Sequence, residues 1–486
     1  MTQPAVTQTE LDGALGILSP NGRYAVFLGT TTSGTAYTPA AFGKVRDLVS
    51  TFGYGPTVEA AARAIEVYGL PVVMVRCTEA AAGGLLASSF VYSGVTGTSV
   101  VTTDGAFAAN DDYEIVVKIV TGGTRGTAGI TYRYSYDGGR TWSALTALGT
   151  DTSITIPNAG GVVFNLAAGT LIANDTWSCT TTAPTIDSTN VALALTALGL
   201  WIGSWRNVMI CNKIDGSVFD AVDTKLVAFA ASGKNRAWIG NTQLPTFGQS
   251  EAAYKTALDT IFSARSSKRC YLHAGTCELV SSVSGRVYRR PVSFALGPLQ
   301  MSVSEEINIA SVKLGALPGV TVTDSNGNPK HHDESTNPGL DDSRFSVLRT
   351  WEGRQGVYPN RPRVFSAEGS DFDIAPKREV MNIARTATRA YLETRLNEPI
   401  QVNRTTGYIL ENEAQEIEAG ANAALAAVLG AQPKASGWSF VLSRTDNVLS
   451  TKTLNGQTRI IPLAYAEFIN EDVGFKNPAA NVVPVG

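Results

Sequence analysis

YAVFLG, at residues 24–29, is a short apolar run that ends in glycine, and it predicts a strand buried on both faces. Residues 57–68 follow it and place apolar side chains at helical spacing, from Val58 to Val67. VVMVR, at residues 72–76, is a second buried run. A strand, a helix and a strand in this order predict a βαβ unit with a parallel sheet.

The same alternation returns after residue 185 and extends the predicted sheet. Each apolar run there is short enough for a strand, and each is separated from the next by a segment with helical periodicity. The predicted helices are 190–201, 219–231 and 250–266, and the predicted strands are 207–211, 236–239 and 269–272.

Residues 88–184 have a different character, because they are rich in Thr and Gly and show no helical spacing. Alternating segments such as 113–120 and 130–135 predict half-buried antiparallel strands. Since α/β character precedes and follows them, these residues predict an all-β, sandwich-like domain inserted into one α/β domain.

The last part of the chain predicts an α+β unit. Helices are expected at 376–396 and 411–429, a strand at 439–443 and a final extended segment at 460–469. The fold class is therefore an α/β core, with a mostly parallel sheet and flanking helices, an inserted all-β domain and an α+β C-terminal domain. The expected divisions are an arm (1–20), the α/β domain (21–87 and 185–350), the insert (88–184) and the C-terminal domain (351–486).

Composition argues against several classes of function. The 486 residues carry a net charge of −3, which does not suit a nucleic-acid-binding surface. No signal peptide and no apolar run of about 18 residues is visible, so we expect a soluble product made in the cytoplasm, without membrane insertion. Only 17% of the residues are charged, which favours a chain that covers much of its surface with neighbours.

Several segments occur in an order and spacing similar to those of contractile bacteriophage tail sheath proteins. By our estimate the resemblance covers about three quarters of the chain, all but the insert. The segments that carry it are 51–55 and 72–76 near the N-terminus, and 353–360, 366–372, 377–381, 444–451 and 462–469 in the C-terminal unit.

This resemblance implies a structural protein of the virion and not an enzyme. Sheath subunits form six-fold rings that stack around a tail tube, and the cylinder contracts to drive the tube through the host envelope. The implied partners are further copies of the chain, the tail tube protein, and the baseplate and tail terminator proteins, with assembly in the host cytoplasm and no cofactor. The sheath of a related contractile injection system, such as a tailocin or a secretion apparatus, is an open alternative.

Two sets of contact residues follow from the resemblance. Extended arms that add strands to neighbouring subunits would use Thr2, Val6, Leu11, Leu463, Tyr465, Phe468, Ile469 and Phe475. A basic helix face toward the tube would use Lys377, Arg378, Arg385 and Arg389. The alternatives are an ordinary disordered N-terminus and an ordinary edge strand for the two arms, and a solvated helix face for the basic helix.

The insert contains one sharp motif, an Asp-box. Its S-x-D-x-G-x-T-W pattern predicts a turn pinned by a carboxylate and hydroxyl groups. A single box in a short domain cannot form a sialidase propeller, so a structural role is expected, with carbohydrate binding as the alternative. The residues are Ser135, Asp137, Gly139, Thr141 and Trp142.

No metal site or catalytic site is predicted from the other clusters of reactive side chains. Cys270, His273 and Cys277 give three soft ligands where zinc usually takes four, so buried thiols are favoured over a metal site. The His331–Glu334 run is expected in a solvated loop. With three histidines in the chain, and no nucleophile motif after them, no hydrolase triad is predicted.

Overall fold

The computed structural model describes residues 23–86, 90–103, 107–246, 249–322 and 332–475. The predicted arm, with Thr2, Val6 and Leu11, lies outside the described residues, and so does His331.

The described part of the chain begins with the predicted βαβ unit. Its two buried strands pair in parallel, and the helix between them starts with Pro56 in its first turn and ends at Gly69, whose φ of 64° closes the cap. A short antiparallel edge strand and a further helix were not predicted. The elements are β1 (Tyr24–Gly29), β2 (Ala40–Phe42), α1 (Val45–Phe52), α2 (Pro56–Tyr68) and β3 (Val72–Arg76).

The inserted region consists of antiparallel strands around their own core. Along β7, Ile115, Val117 and Ile119 point into this core while the residues between them are less buried. Sheets of order β10-β9-β7-β14-β4 and β11-β12-β6 enclose it. The strands are β4 (Gly84–Leu85), β5 (Val91–Ser93), β6 (Val101–Thr103), β7 (Glu114–Thr121), β8 (Gly123–Thr124), β9 (Thr131–Ser135), β10 (Thr146–Ala147), β11 (Ser153–Thr155), β12 (Val163–Leu166), β13 (Thr170–Leu171) and β14 (Thr176–Thr182).

The α/β part then resumes and completes a six-stranded sheet of order β17-β16-β15-β1-β3-β2, in which only β2 is antiparallel. Hydrophobic clusters cover both faces, which is why its strands read as continuous apolar runs. The side chains of Asp187, Asp215 and Ser250 cap the three helices. The elements are α3 (Ser188–Leu200), β15 (Trp205–Ile210), α4 (Gly216–Ala231), β16 (Ala237–Asn241), α5 (Glu251–Phe262) and β17 (Cys270–His273).

A set of short elements follows and packs onto this core. Val357 and Val364 belong to one of its hydrophobic clusters and Phe365 to the other, so the expected boundary at residue 351 falls inside a segment that packs with the α/β part. The elements are β18 (Thr276–Val280), β19 (Val287–Pro291), α6 (Ser293–Ser302), β20 (Val320–Thr321), β21 (Leu348–Trp351) and β22 (Arg354–Pro359), with a 3₁₀ turn at Val312–Leu314.

The C-terminal unit has a small core of its own, built from Val380, Ala384, Leu425 and Phe440 among others. Two helices pack together, and the second covers a two-stranded sheet. The expected extended segment 460–469 is a strand only as far as Pro462. The elements are α7 (Ala375–Thr394), α8 (Glu411–Leu429), β23 (Ala435–Leu442), α9 (Val448–Thr451) and β24 (Gly456–Pro462).

The structure therefore has the predicted mixed α/β content, and the division into domains stays a prediction. Within the described ranges, every helix is too short or too polar to cross a bilayer.

Candidate inter-subunit surfaces

The tail after β24 is attached to its own chain at two points and is then exposed. The hydroxyl of Tyr465 donates to the carbonyl oxygen of Glu306 at 2.6 Å, and Glu467 pairs with Arg361 at 3.0 Å. Beyond these contacts, large apolar side chains face solvent, and covering each one would stabilise an assembly by about 1.5–3 kcal/mol. The exposed fractions are 80% for Phe468, 84% for Ile469 and 110% for Phe475, while Leu463 is half-buried.

The hairpin β23–β24 offers free strand edges next to this tail. It pairs from Ala435 opposite Pro462 to Leu442 opposite Gly456, and no third strand joins it within the described residues. A lone hairpin is marginally stable, and unpaired edges readily accept another strand. The C-terminal unit thus combines an exposed apolar segment with an incomplete sheet.

The four predicted tube-facing residues of α7 are not on one surface. Arg378 is 3% exposed, donates to Asn382 at 2.6 Å and lies over the ring of Phe372. Burial lowers the pKa of Arg378 to about 10. Arg378 therefore makes its contacts mainly within the folded chain and has little surface to offer a partner, whereas Lys377 is half-buried and Arg385 and Arg389 are exposed.

Arg385 lies between two grooves that run along α7. One has a volume of about 590 Å³ and includes Arg389 and Leu392, and the other has a volume of about 560 Å³. The charged residues lining the second groove are Lys268, Arg269, Arg378, Arg385 and Asp223. The surface around Arg385 is therefore basic with apolar walls, which suits an acidic partner.

Sequence reasoning missed a buried charge cluster that joins the start of β1 to the C-terminal unit. Glu305, which is 4% exposed, pairs with Arg23, with Lys434 and, at 3.6 Å, with Arg206. The neighbouring Glu306 carbonyl holds the tail through Tyr465. Arg23, just before β1, and the C-terminal tail thus attach to two adjacent residues, Glu305 and Glu306. No sequence pattern indicates this, because the partners are far apart along the chain.

The Asp-box forms the expected pinned turn. Ser135 and Thr141 hydroxyls each donate to Asp137 at 2.6 Å, and the Gly139 amide donates to Ser135 at 2.9 Å. Gly139 has a φ of 92°, a conformation that favours glycine. Arg140, inside the box, pairs with Glu278 of β18. The turn therefore faces the α/β part of the chain, and Trp142 is half-buried.

Cys270, His273 and Cys277 are buried on β17 and β18. Burial lowers the pKa of His273 to about 3 and raises the pKa of Cys277 to about 12. Within the described part of the chain, no group of three His, Cys, Asp or Glu side chains could hold a metal ion. All five cysteines are free and buried, so a disulfide to another subunit would require local unfolding.

The expectation of a solvated loop is wrong at His332, whose side chain is 1% exposed. Its ring nitrogens lie 2.8 Å from Glu251 of α5 and 3.0 Å from Glu334. Burial disfavours the charged imidazole, but the hydrogen bonds to both carboxylates outweigh it and raise the pKa of His332. The imidazolium thereby joins the loop after residue 331 to the first turn of α5.

Replacing His332 by Gln will destabilise the protein by about 1–3 kcal/mol at pH 6, because two hydrogen bonds to charged groups are lost. The raised pKa of His332 means that its contribution is complete below pH about 6.5 and is lost as the pH rises through the folded-state value. Urea unfolding at pH 6 and pH 8.5 should show the difference from wild type shrinking at the higher pH.

His273 provides a control of opposite sign. The pKa of His273 is lower in the folded protein than in the unfolded chain, so on acidification the unfolded chain binds the proton at a higher pH. Burial of the neutral His273 side chain therefore lowers the free energy of unfolding as the pH falls below about 6.5. A difference between wild type and His332→Gln that grew with pH would contradict the assignment of His332 as charged.

Comparison with known proteins identifies the family of the chain and a set of solved structures with a similar fold. Residues 3–363, well over half of the chain, match the family model described as DUF2586, N-terminal domain. No curated protein matches the sequence.

Three similar solved structures come from contractile assemblies, and each comparison covers 98% of this chain. The sheath complex of an extracellular contractile injection system, PVC, in its contracted state is 9% identical over 98% of its chain, with a TM-score of 0.52. The contracted helical sheath of the anti-feeding prophage is 11% identical over 99% of its chain, with a TM-score of 0.51.

A chain of the contracted anti-feeding prophage baseplate is 13% identical over 98% of its length, with a TM-score of 0.51. At these identities the likeness concerns the fold, and it confirms the fold that the sequence resemblance implied. The protein belongs to the DUF2586 family, and it has the fold of contractile sheath subunits.

Proposed function

We propose that the chain is a structural subunit of a contractile phage tail sheath. It would polymerise as stacked six-fold rings around a tail tube and contract to drive the tube through the host envelope. The observation that carries this proposal is the exposed apolar tail beside a two-stranded sheet with free edges, on a chain with the sheath fold. A particle component, assembled in the host cytoplasm, is the corresponding location.

The sheath of a related contractile injection system is the second candidate. The similar sheath complex of an extracellular contractile injection system is consistent with this candidate. The two candidates share one mechanism and differ in what the tube carries.

The tail is proposed to link neighbouring subunits. Leu463 and Tyr465 would hold the start of the tail on its own copy, while Phe468, Ile469 and Phe475 would leave that copy and add a strand to the β23–β24 hairpin of the next. Such heterologous contacts propagate into a helical array. Main-chain hydrogen bonds would keep the copies joined while their globular surfaces slide. The N-terminal residues Thr2, Val6 and Leu11 are proposed as a second tether.

The C-terminal unit is proposed to face the tube. Lys377, Arg385 and Arg389 are at the surface of α7, and an acidic tube protein would complement them. The inserted β region would then lie on the outer surface, and the baseplate and tail terminator proteins would contact the ends of the array. Contraction needs no nucleotide if the extended form is kinetically trapped, so we infer a structural role rather than an enzymatic one.

Electron microscopy of the purified protein tests the proposal. A sheath subunit should form rods of stacked rings or open polysheath tubes as protein concentration is raised. The contrary result would be particles that stay monomeric at every concentration and ionic strength, with the tail protected from proteases by its own chain.

A further inference from the structure

The Asp-box turn joins the inserted β region to the α/β part of the chain. Arg140 is 27% exposed and reaches out of the insert to Glu278 of β18, which is 5% exposed. The same guanidinium lies 4.0 Å from Glu114 of β7. The pinned turn thus presents an arginine to two carboxylates, one in each part of the chain.

A second ion pair crosses the same interface and is more deeply buried. Both oxygens of Asp111, in the insert, accept from the Arg290 guanidinium of β19 at 2.8 Å. The two side chains are 1% and 3% exposed. A two-point arginine–carboxylate contact fixes orientation as well as distance, and removing one partner of such a buried pair is costly.

Aromatic side chains surround these ion pairs. Tyr288 of β19 belongs to the hydrophobic cluster of the insert, and its ring centroid lies 5.7 Å from that of Tyr113. Tyr113 in turn contacts Tyr136 of the Asp-box at 5.4 Å, and Arg286 lies over the Tyr136 ring. The core of the insert therefore includes a side chain from the α/β part.

The two chain segments that enter and leave the insert are also paired with each other. The amide of Ala80 donates to Thr185 at 2.8 Å, and the amide of Thr185 donates to Ala81 at 2.9 Å. β4 then continues this pairing with β14. A Cβ at Gly83 would overlap the carbonyl oxygens of Ala109 and Thr182, so this neck, residues 80–86 with 180–185, is packed closely against the insert.

We propose that the Asp-box is a clamp that fixes the insert to the α/β core, so that the two move as one rigid body. Inserted domains joined by small polar interfaces usually move relative to their hosts. Here the buried charge pairs, the shared aromatic cluster and the paired neck oppose such motion. Building on the proposed sheath function, the insert would keep one orientation to its core in the extended and in the contracted array.

Hydrogen exchange of the full-length monomer tests the clamp without requiring assembly. Asp111→Asn should accelerate exchange at the neck amides of Ala80, Leu86 and Thr185 by about 100-fold, because a buried arginine loses its partner. Strands β7 and β15 should stay protected, which separates release of the insert from unfolding. Arg133→Ala is the matched control, since Arg133 is exposed on the strand that leads into the Asp-box, and its neck exchange should equal that of wild type.

A double-mutant cycle keeps the test decisive if Asp111→Asn does not fold. Arg140→Ala and Glu278→Ala should each accelerate neck exchange, and the double variant should show little more than either single change. Unchanged exchange in both single variants, or effects that simply multiply, would overturn the clamp.

Cryo-electron microscopy of assembled particles tests the rigid-body consequence. The insert and core should superpose as one unit between the extended and contracted states, and a changed angle between them would overturn it. Failure to assemble would count against the sheath function alone, because monomer exchange decides the clamp.

Discussion

Replacing Phe468 and Ile469 together by serine will abolish polymerisation and leave the monomer as stable as wild type. The two side chains are 80% and 84% exposed, so the monomer gains almost nothing from them and its unfolding free energy should change by less than about 0.5 kcal/mol. An assembly that covers both would lose about 3–6 kcal/mol for each linked pair of subunits. Because every ring repeats this loss, we expect no rods by electron microscopy.

Leu449→Ser is the matched control for this prediction. Leu449 is 75% exposed in the same C-terminal unit but lies on α9, outside the tail. It should leave both monomer stability and polymerisation unchanged. Rods of normal length from the Phe468→Ser, Ile469→Ser variant, at wild-type protein concentration, would rule out the tail as the link between subunits.

Reversing the charges of Arg385 and Arg389 to Glu will weaken tube-templated assembly by about 100-fold, since like charges facing an acidic tube cost several kcal/mol. The effect should diminish as salt is raised, because the residues are exposed and screening acts on them. Monomer stability should change little, since the exposed Arg389–Glu393 pair contributes at most about 0.5 kcal/mol. Co-sedimentation with purified tube at several salt concentrations measures both effects.

A control variant changes the same number of charges elsewhere. Arg46 and Arg133 are exposed in other parts of the chain, and their joint reversal to Glu should not alter binding to the tube. If both double variants bound the tube as wild type does, the electrostatic docking of α7 would be abandoned.

Helices and strands with a strong local hydrophobic pattern could be predicted from the sequence alone. Strand β1 has the predicted bounds, and α8 runs from Glu411 to Leu429 as expected. Apolar runs buried on both faces, separated by amphipathic helices, leave a parallel sheet as the arrangement that buries them all. The order of segments also pointed to the sheath fold, because order and spacing survive when individual residues change.

Several short elements were not predicted, because their local sequence signals are weak. Strands β2 and β20 and helix α6, which contains Pro298, carry weak local preferences and form because the surrounding core holds them. Phe365 likewise falls within the predicted C-terminal domain, 351–486, but its ring packs in the aromatic cluster of the α/β core.

Only the tertiary structure decided which charged side chains are available to partners. Arg378 and Arg385 sit two turns apart on one helix, yet the first is buried against Phe372 and the second is exposed. The Asp-box pattern specifies a turn, and the contact between Arg140 and Glu278, 138 residues apart, determines that the turn faces inward. Burial and long-range pairing depend on which surfaces come together in the folded chain. No local sequence pattern determines this, because it depends on how the whole core packs.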